Sequence, residues 1–455
     1  RSSGSTTVVR TDGAPANNLA ESGTVDLYAV WYKNPTVTFK VEGGTGGSLK
    51  GTYGGIPKTA GGTTEQSFTV TYGGSINFET TPTYAWEVEH WTGLTASPAN
   101  AATVTFSDIT QDTIVKVKFK KTTTVKSTDP QPWKLLKEVI KIADNNAVIT
   151  INGEIKATNE GSAGVDANWG EIEINKNLTI KKADGATTAV LNANRGSLGS
   201  YAHLIFRVSG GRKLTLKNLT LKGGQNTTGA FGGAITVTGS STAELTDCII
   251  EDCQANKGGA IGCYSGTTVT LTNTTIQKCK ATERGGAIYA SGATVTLTGC
   301  TLTGNEAVLK GGAIYAVKAG ISPTTPSAVT ISGGTIGGTN PTDANKATGT
   351  GTDNGMGGAI YIGETCTLTL KDSAQVIGNT ATFNGAGIYT KGNLTMEKCT
   401  ITDNKTTSAS TNTGGGGVYV ESGTVEIKDA TKIYHNYTDA LGGGIYVKGG
   451  SLTLT

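Results

Sequence analysis

The chain has 455 residues, 38 Lys+Arg against 35 Asp+Glu, and only 16% charged residues. So balanced a composition carries no footprint of a nucleic-acid or anionic-membrane partner, and no apolar run is long enough to insert in a bilayer. The 66 glycines, against 10 prolines, fit many tight turns between short strands rather than disorder.

Residues 1–34 end in GTVDLYAVWYKN, whose LYAVW resembles the closing strand of the Listeria–Bacteroides repeat, a small β-rich extracellular module. They read as the C-terminal remnant of such a module. The opening RSSGSTTVV lacks the apolar core of a signal peptide, and the chain stops at SLTLT in mid-repeat. The expectation is a piece of a longer exported protein whose signal and anchor lie outside it. Residues 35–121 carry strand signals about every ten residues with Gly-rich turns, which predicts a compact all-β module. It is similar to the repeat modules of bacterial surface proteins. Trp86 and Trp91 read as core, with a sugar-stacking pair as the alternative, because a domain this small needs large apolar residues. His90 has no second metal-ligand candidate beside it.

Residues 122–132 read as a polar linker. In PWKLLKEVIKIADNNA the period changes: Trp133, Leu136, Val139, Ile140 and Ala143 recur every three to four residues, which predicts an amphipathic helix. Its place just before the strand AVITING suggests a lid over the open end of a solenoid, since an uncapped one exposes apolar core and unpaired strand edges.

GGAI or a close variant begins at Gly232, Gly258, Gly285, Gly311, Gly357, Gly385, Gly415 and Gly442, at spacings of 26, 27, 26, 46, 28, 30 and 27 residues. A period in the twenties marks a solenoid with one coil per repeat. In TVTLT, Val295 and Leu297 share one face and the threonines the other; Val269/Leu271, Val329/Ile331 and Leu368/Leu370 repeat the pair. With no helix between strands, equivalent strands must pair in parallel from coil to coil. The fold class is therefore all-β: a parallel β-helix over residues 133–455 with an N-terminal capping helix, expected right-handed because parallel crossovers are. At one coil per repeat it holds roughly eleven coils and is a rod on the order of 50 Å long.

GGAI followed by an Ile-x-x-Asn element is similar to the repeats of the chlamydial polymorphic membrane proteins, which are surface adhesins. The resemblance covers residues 232–455, with Leu302, Val376, Ile401 and Ile433 where that family has Phe. It implies an adhesin-like role toward host or bacterial surface glycan or protein, at the cell surface or outside the cell. From the residues themselves, Asn305, Asn379, Asn404 and Asn436 recur at one turn and are expected to form a structural ladder of side-chain amides. Cys253 and Cys279 fill the same slot in consecutive coils, which leaves stacked thiols or a disulfide open. The other cysteines read as buried free thiols. The GG pairs read as positive-φ turns; no phosphate loop or other cofactor motif accompanies them.

Parallel β-helices also host polysaccharide lyases and hydrolases, which is the alternative function. The nearest approach to a catalytic group is Arg195, Tyr201, His203 and Arg207 with Glu171 and Glu173 one coil earlier; those glutamates alternate with Ile172 and Ile174 like a solvated face, so no catalytic or metal-binding residues are assigned. The long spacing suggests an insertion, Gly337 to Gly355, with Asp343 and Asp353 as a weak calcium signal. Thr215, Thr270, Thr296, Thr330, Thr369, Thr395 and Thr453 form an outward row that resembles ice-binding faces, but Glu244 and Glu426 interrupt it and β-propensity accounts for it better. The preferred binding surface is the tyrosine of each GGAIY segment. Tyr289, Tyr315, Tyr361, Tyr389, Tyr419 and Tyr446 alternate with core residues and are expected to form an exposed outer column.

Overall fold

The computed structural model describes residues 32–160, 167–199, 202–320, 325–351, 353–408 and 413–455. The LYAVW segment and Tyr201 therefore lie outside the described residues. The chain divides at Lys120 into two compact units.

In the first unit, Thr36–Val41 pairs in parallel with Thr113–Lys121 and antiparallel with Gln66–Thr69, within one four-stranded sheet; Gly47–Tyr53 and Gly74–Pro82 centre a second. Strict alternation in TVTFKV buries Val37, Phe39 and Val41, which meet Leu49, Phe78, Val115 and Val117 in one core. Trp91 is buried in that core with its indole N–H donated to the Ala101 carbonyl, and Trp86 packs partly buried against it. Both indoles therefore pack with the core, Trp91 fully and Trp86 in part.

The second unit is a parallel β-helix whose every regular coil is four short strands, as in Ile288–Ser291, Thr294–Thr298, Thr301–Thr303 and Glu306–Ala307. The fourth strand, only two residues long here, is too short to leave a period in the sequence. The Ile-Tyr segments stack into a ten-stranded sheet and the fourth strands into a seven-stranded one. Register is exact in the inward rows: Val269, Val295, Val329, Leu368, Leu394 and Val425 are successive Cα partners and all fully buried. Burying one such side chain contributes about 1.5–3 kcal/mol, and the same saving recurs at every coil. Within GG, Gly285 sits at φ +68, and a Cβ on Gly286 would stand 2.1 Å from the Gly312 carbonyl oxygen of the next coil. The first glycine supplies the turn and the second the close approach.

The expected linker is part of the solenoid. Thr124–Lys126 pairs in parallel with Thr150–Asn152, so residues 122–132 begin the first coil rather than precede it. The helix Pro132–Ile142 follows, with Pro at its first turn and Trp133, Leu136, Val139 and Ile140 buried against the first coil. Distant groups satisfy its ends. The Asn168 side-chain Oδ1 accepts the Lys134 backbone N–H, and Lys176 Nζ donates to the carbonyls of Lys141 and Ala143, both at 2.8 Å.

Candidate functional site

Two polar columns run the length of the repeats, one inside the coil and one outside the lumen. The inner column holds the predicted asparagines. Asn305 Nδ2 donates to Asn345 Oδ1, Asn345 to Asn379, Asn379 to Asn404 and Asn404 to Asn436, each at 2.9 Å. Each amide also donates to a carbonyl of the preceding coil, as Asn305 does to Ile276 at 3.0 Å and Asn345 to Leu302 at 2.8 Å. Asn345, fully buried, is a rung that the sequence pattern does not reveal. The long spacing is not one insertion from Gly337 to Gly355: extra residues fall between the strands ending at Val317 and beginning at Ala328, between Gly337 and Lys346, and between Ala347 and Ile360, and those of the second stretch displace Asn345 from the Ile-x-x-Asn spacing. Asp343 and Asp353 lie on different turns. The Asp343 carboxylate accepts from Asn340 at 2.9 Å, its carbonyl accepts the Gly304 N–H at 2.9 Å, and no calcium cage is built among the described residues.

Cys253 and Cys279 continue the same column toward the N-terminus. Both are buried free thiols rather than the disulfide the sequence left open. The Gly224 N–H donates to Cys253 Sγ at 3.4 Å, and the Cys279 N–H donates to Asn305 Oδ1 at 3.0 Å, so thiols replace amides at the first two rungs. Burial pushes the Cys263 thiol up to about 12 and those of Cys248 and Cys399 up to about 11, far from reactive thiolates.

The outer column is the tyrosine row. Consecutive ring centroids from Tyr289 through Tyr315, Tyr361, Tyr389 and Tyr419 are 5.5, 4.8, 5.0 and 5.1 Å apart, the rings stacked nearly parallel; Tyr446 follows at 5.2 Å, tilted. The rings form a cluster of their own. The expectation that they would be exposed is corrected: Tyr315 is 9% and Tyr389 2% accessible, and only Tyr446, on the last coil, is half-buried. Burial raises the Tyr315 hydroxyl to about 12. Alternation predicts the direction of the rings correctly, but not what lies over them.

Over the rings from Tyr289 to Tyr361 lies the residue before GG. Phe231, Lys257, Arg284, Lys310 and Met356 are bridged one to the next in parallel, making a second ladder beside the tyrosines. Lys257 Nζ stands 5.1 Å from the Phe231 ring centroid, Arg284 Cζ 5.6 Å over Tyr315 and Lys310 Nζ 5.3 Å over Tyr361. Arg284 and Lys310 each sit on the ring of the following coil, a cation–π arrangement. At the N-terminal end Glu173, Arg207, Thr236 and Gly262 occupy the tyrosine position, and the Phe231 side chain fills the space beside Gly262.

The group weighed for catalysis is engaged elsewhere. Arg207 holds Glu171 through two hydrogen bonds of 2.9 and 2.7 Å, and Arg195 donates to Gln254 Oε1 at 2.6 Å. His203 is buried, its ring centroid 5.2 Å from that of Trp133 on the capping helix, with Nδ1 2.8 Å from the Leu204 carbonyl and Nε2 without a partner. Burial pushes its pKa down to about 4. A cleft of about 370 Å³ lies between that helix and the first coil, lined by Lys137, Lys141, Glu171 and Glu173 among others. Among the described residues no three His, Cys, Asp or Glu side chains are grouped to hold a metal. The threonine row is in register from Thr270 to Thr395, closed by Glu244 paired with Lys213 and Glu426 paired with Lys428.

A family model described as a right handed beta helix region matches residues 176–336. The solenoid is a right-handed parallel β-helix. Among solved structures the chain is similar to the catalytic domain of a GH87 alpha-1,3-glucanase in complex with nigerose, at 10% identity, over 90% of this chain and 86% of that one, with a TM-score of 0.27. It is also similar to the Family 28 exopolygalacturonase of Yersinia enterocolitica, at 9% identity, over 89% of this chain and 93% of that one, with a TM-score of 0.22. Neither likeness bears on the chemistry of this chain. No curated protein sequence matches it.

Proposed function

We propose that the chain is a non-catalytic, adhesin-like binding module of a bacterial surface or secreted protein, whose β-helix contacts glycan or protein on host or neighbouring cells. The observation that carries this reading is the ladder from Phe231 to Met356, where aromatic, cationic and apolar side chains repeat along successive coils. A periodic, pre-ordered row suits an extended partner, because little side-chain entropy is lost on contact. A polysaccharide lyase or hydrolase needs unengaged acid and base groups, and here Glu171 is tied to Arg207 and His203 is packed against Trp133. The test is to apply the full chain to glycan and matrix-protein arrays and, in parallel, to assay release of reducing ends from alpha-1,3-glucan and polygalacturonate. Binding without product release is expected; catalytic release of sugar ends the non-catalytic reading.

A further inference from the structure

Elsewhere on this solenoid several outward lysines are paired with acids on adjoining coils: Lys213 with Glu244 at 2.7 Å, Lys222 with Glu251 at 3.1 Å, Lys318 with Glu364 at 3.2 Å and Lys448 with Glu421 at 3.0 Å. The ladder beside the tyrosines instead sets cation next to cation. Lys257, Arg284 and Lys310 are bridged neighbours in three consecutive coils, so like charges stand on strands about 4.8 Å apart. Among the described residues Glu283 is the one acid at ion-pair distance, 3.6 Å from both Lys257 and Arg284. Lys310 has no acid at that distance among the described residues. Burial lowers its pKa most, Asp353 opposes that shift, and Arg284 and Lys391 add to it, so the balance is a lowered pKa. The Arg284 guanidinium makes no side-chain hydrogen bond among the described residues, and its Nε is buried without a partner. Three cations held in a row over aromatic rings, with their hydrogen-bonding capacity largely unused, cost the free protein stability that an anion would restore.

We infer that the strip Lys257–Arg284–Lys310, floored by Tyr289, Tyr315 and Tyr361 and closed at its ends by Phe231 and Met356, binds a linear polysaccharide bearing sulfate or carboxylate groups, laid along the β-helix axis. This rests on the binding-module reading and names its ligand class. The cations take the acidic groups, the Arg284 fork being suited to either oxyanion, and the partly buried Phe231 and Val317 offer apolar contact to the C–H faces of the sugar rings. The repeating cations match a repeating anion better than a single charge.

The experiment measures binding of the full chain to immobilised dextran sulfate, alginate, neutral dextran and polyglutamate at about 50 and 500 mM salt. Binding to dextran sulfate, alginate or both is expected, weakened at high salt, with the two polymers distinguishing sulfate from carboxylate. The double variant Arg284→Gln/Lys310→Gln should lose about tenfold or more in affinity, whereas Lys398→Gln/Lys428→Gln, which removes the same charge from another face, should lose less than about threefold. The charge-preserving Arg284→Lys/Lys310→Arg should retain most binding, which keeps the inference testable if the neutral pair misfolds. No binding to either polyanion, equal loss in both neutral variants, or binding to polyglutamate alone would overturn it. Binding to neutral dextran that survives the double variant would also overturn it while leaving the binding-module reading intact.

Discussion

From Ala147 to Phe231 the coils are held by individual contacts, whereas from Gly232 onward they are held by columns. The early coils rely on a helix closing their end, on Lys176 capping that helix, on the Arg207–Glu171 pair and on His203 beneath Trp133. The later coils repeat one solution: Asn over Asn inside, Tyr over Tyr outside. A column shares each group between two neighbours, so every interior rung is satisfied without a specialised partner. An end has no such neighbour and needs dedicated residues.

The largest expected effect comes from opening the end. Leu136→Asp with Ile140→Asp buries two charges beneath the cap; the melting temperature of the β-helix should fall by about 10 °C or more, read by circular dichroism. An unchanged melt would make the helix a spacer. A column should break locally but substantially. Asn345→Ala removes two donated and two accepted bonds and strands the Leu302 carbonyl and the Asn305 donors, for a loss of about 2–4 kcal/mol by urea denaturation. A loss under about 1 kcal/mol would mean the ladder is incidental.

The two regions should also part under acid. His203 has a folded pKa near 4, below the unfolded value of 6.5, so the unfolded chain binds the extra proton between them. Its contribution is present above pH 6.5 and lost as pH falls toward about 4, up to about 3 kcal/mol. Urea midpoints of His203→Gln should lack that slope. The repeat coils contribute none of it, so amide protection, corrected for the intrinsic exchange rate at each pH, should fall first near Trp133 and Gly170, which the Trp133 indole N–H bonds at 2.8 Å. The smallest effect sharpens the comparison from the other side. Cys279→Asn extends the amide column by one rung, and a gain of about 1 kcal/mol is expected; a loss would show the thiol slot too tight for an amide.

Much of the fold was legible because it repeats. The inward Val and Leu rows, the GG turns, the asparagine rungs at regular spacing and the helix before AVITING all follow from local periodicity, which a single strand or turn enforces by itself. Asn345 was hidden because extra turn residues moved it off that spacing, although the column still required an amide there. The residues that cover the tyrosines were illegible for a different reason. Alternation fixes which way Tyr315 points, but whether water reaches it depends on Arg284 of the preceding coil, 31 positions earlier and on a different strand. Likewise the charges of Lys257, Arg284 and Lys310 look scattered along the chain, and only coil stacking brings them into one row. Period and direction belong to the sequence because they are local; burial and charge adjacency belong to the tertiary structure because they are made between coils.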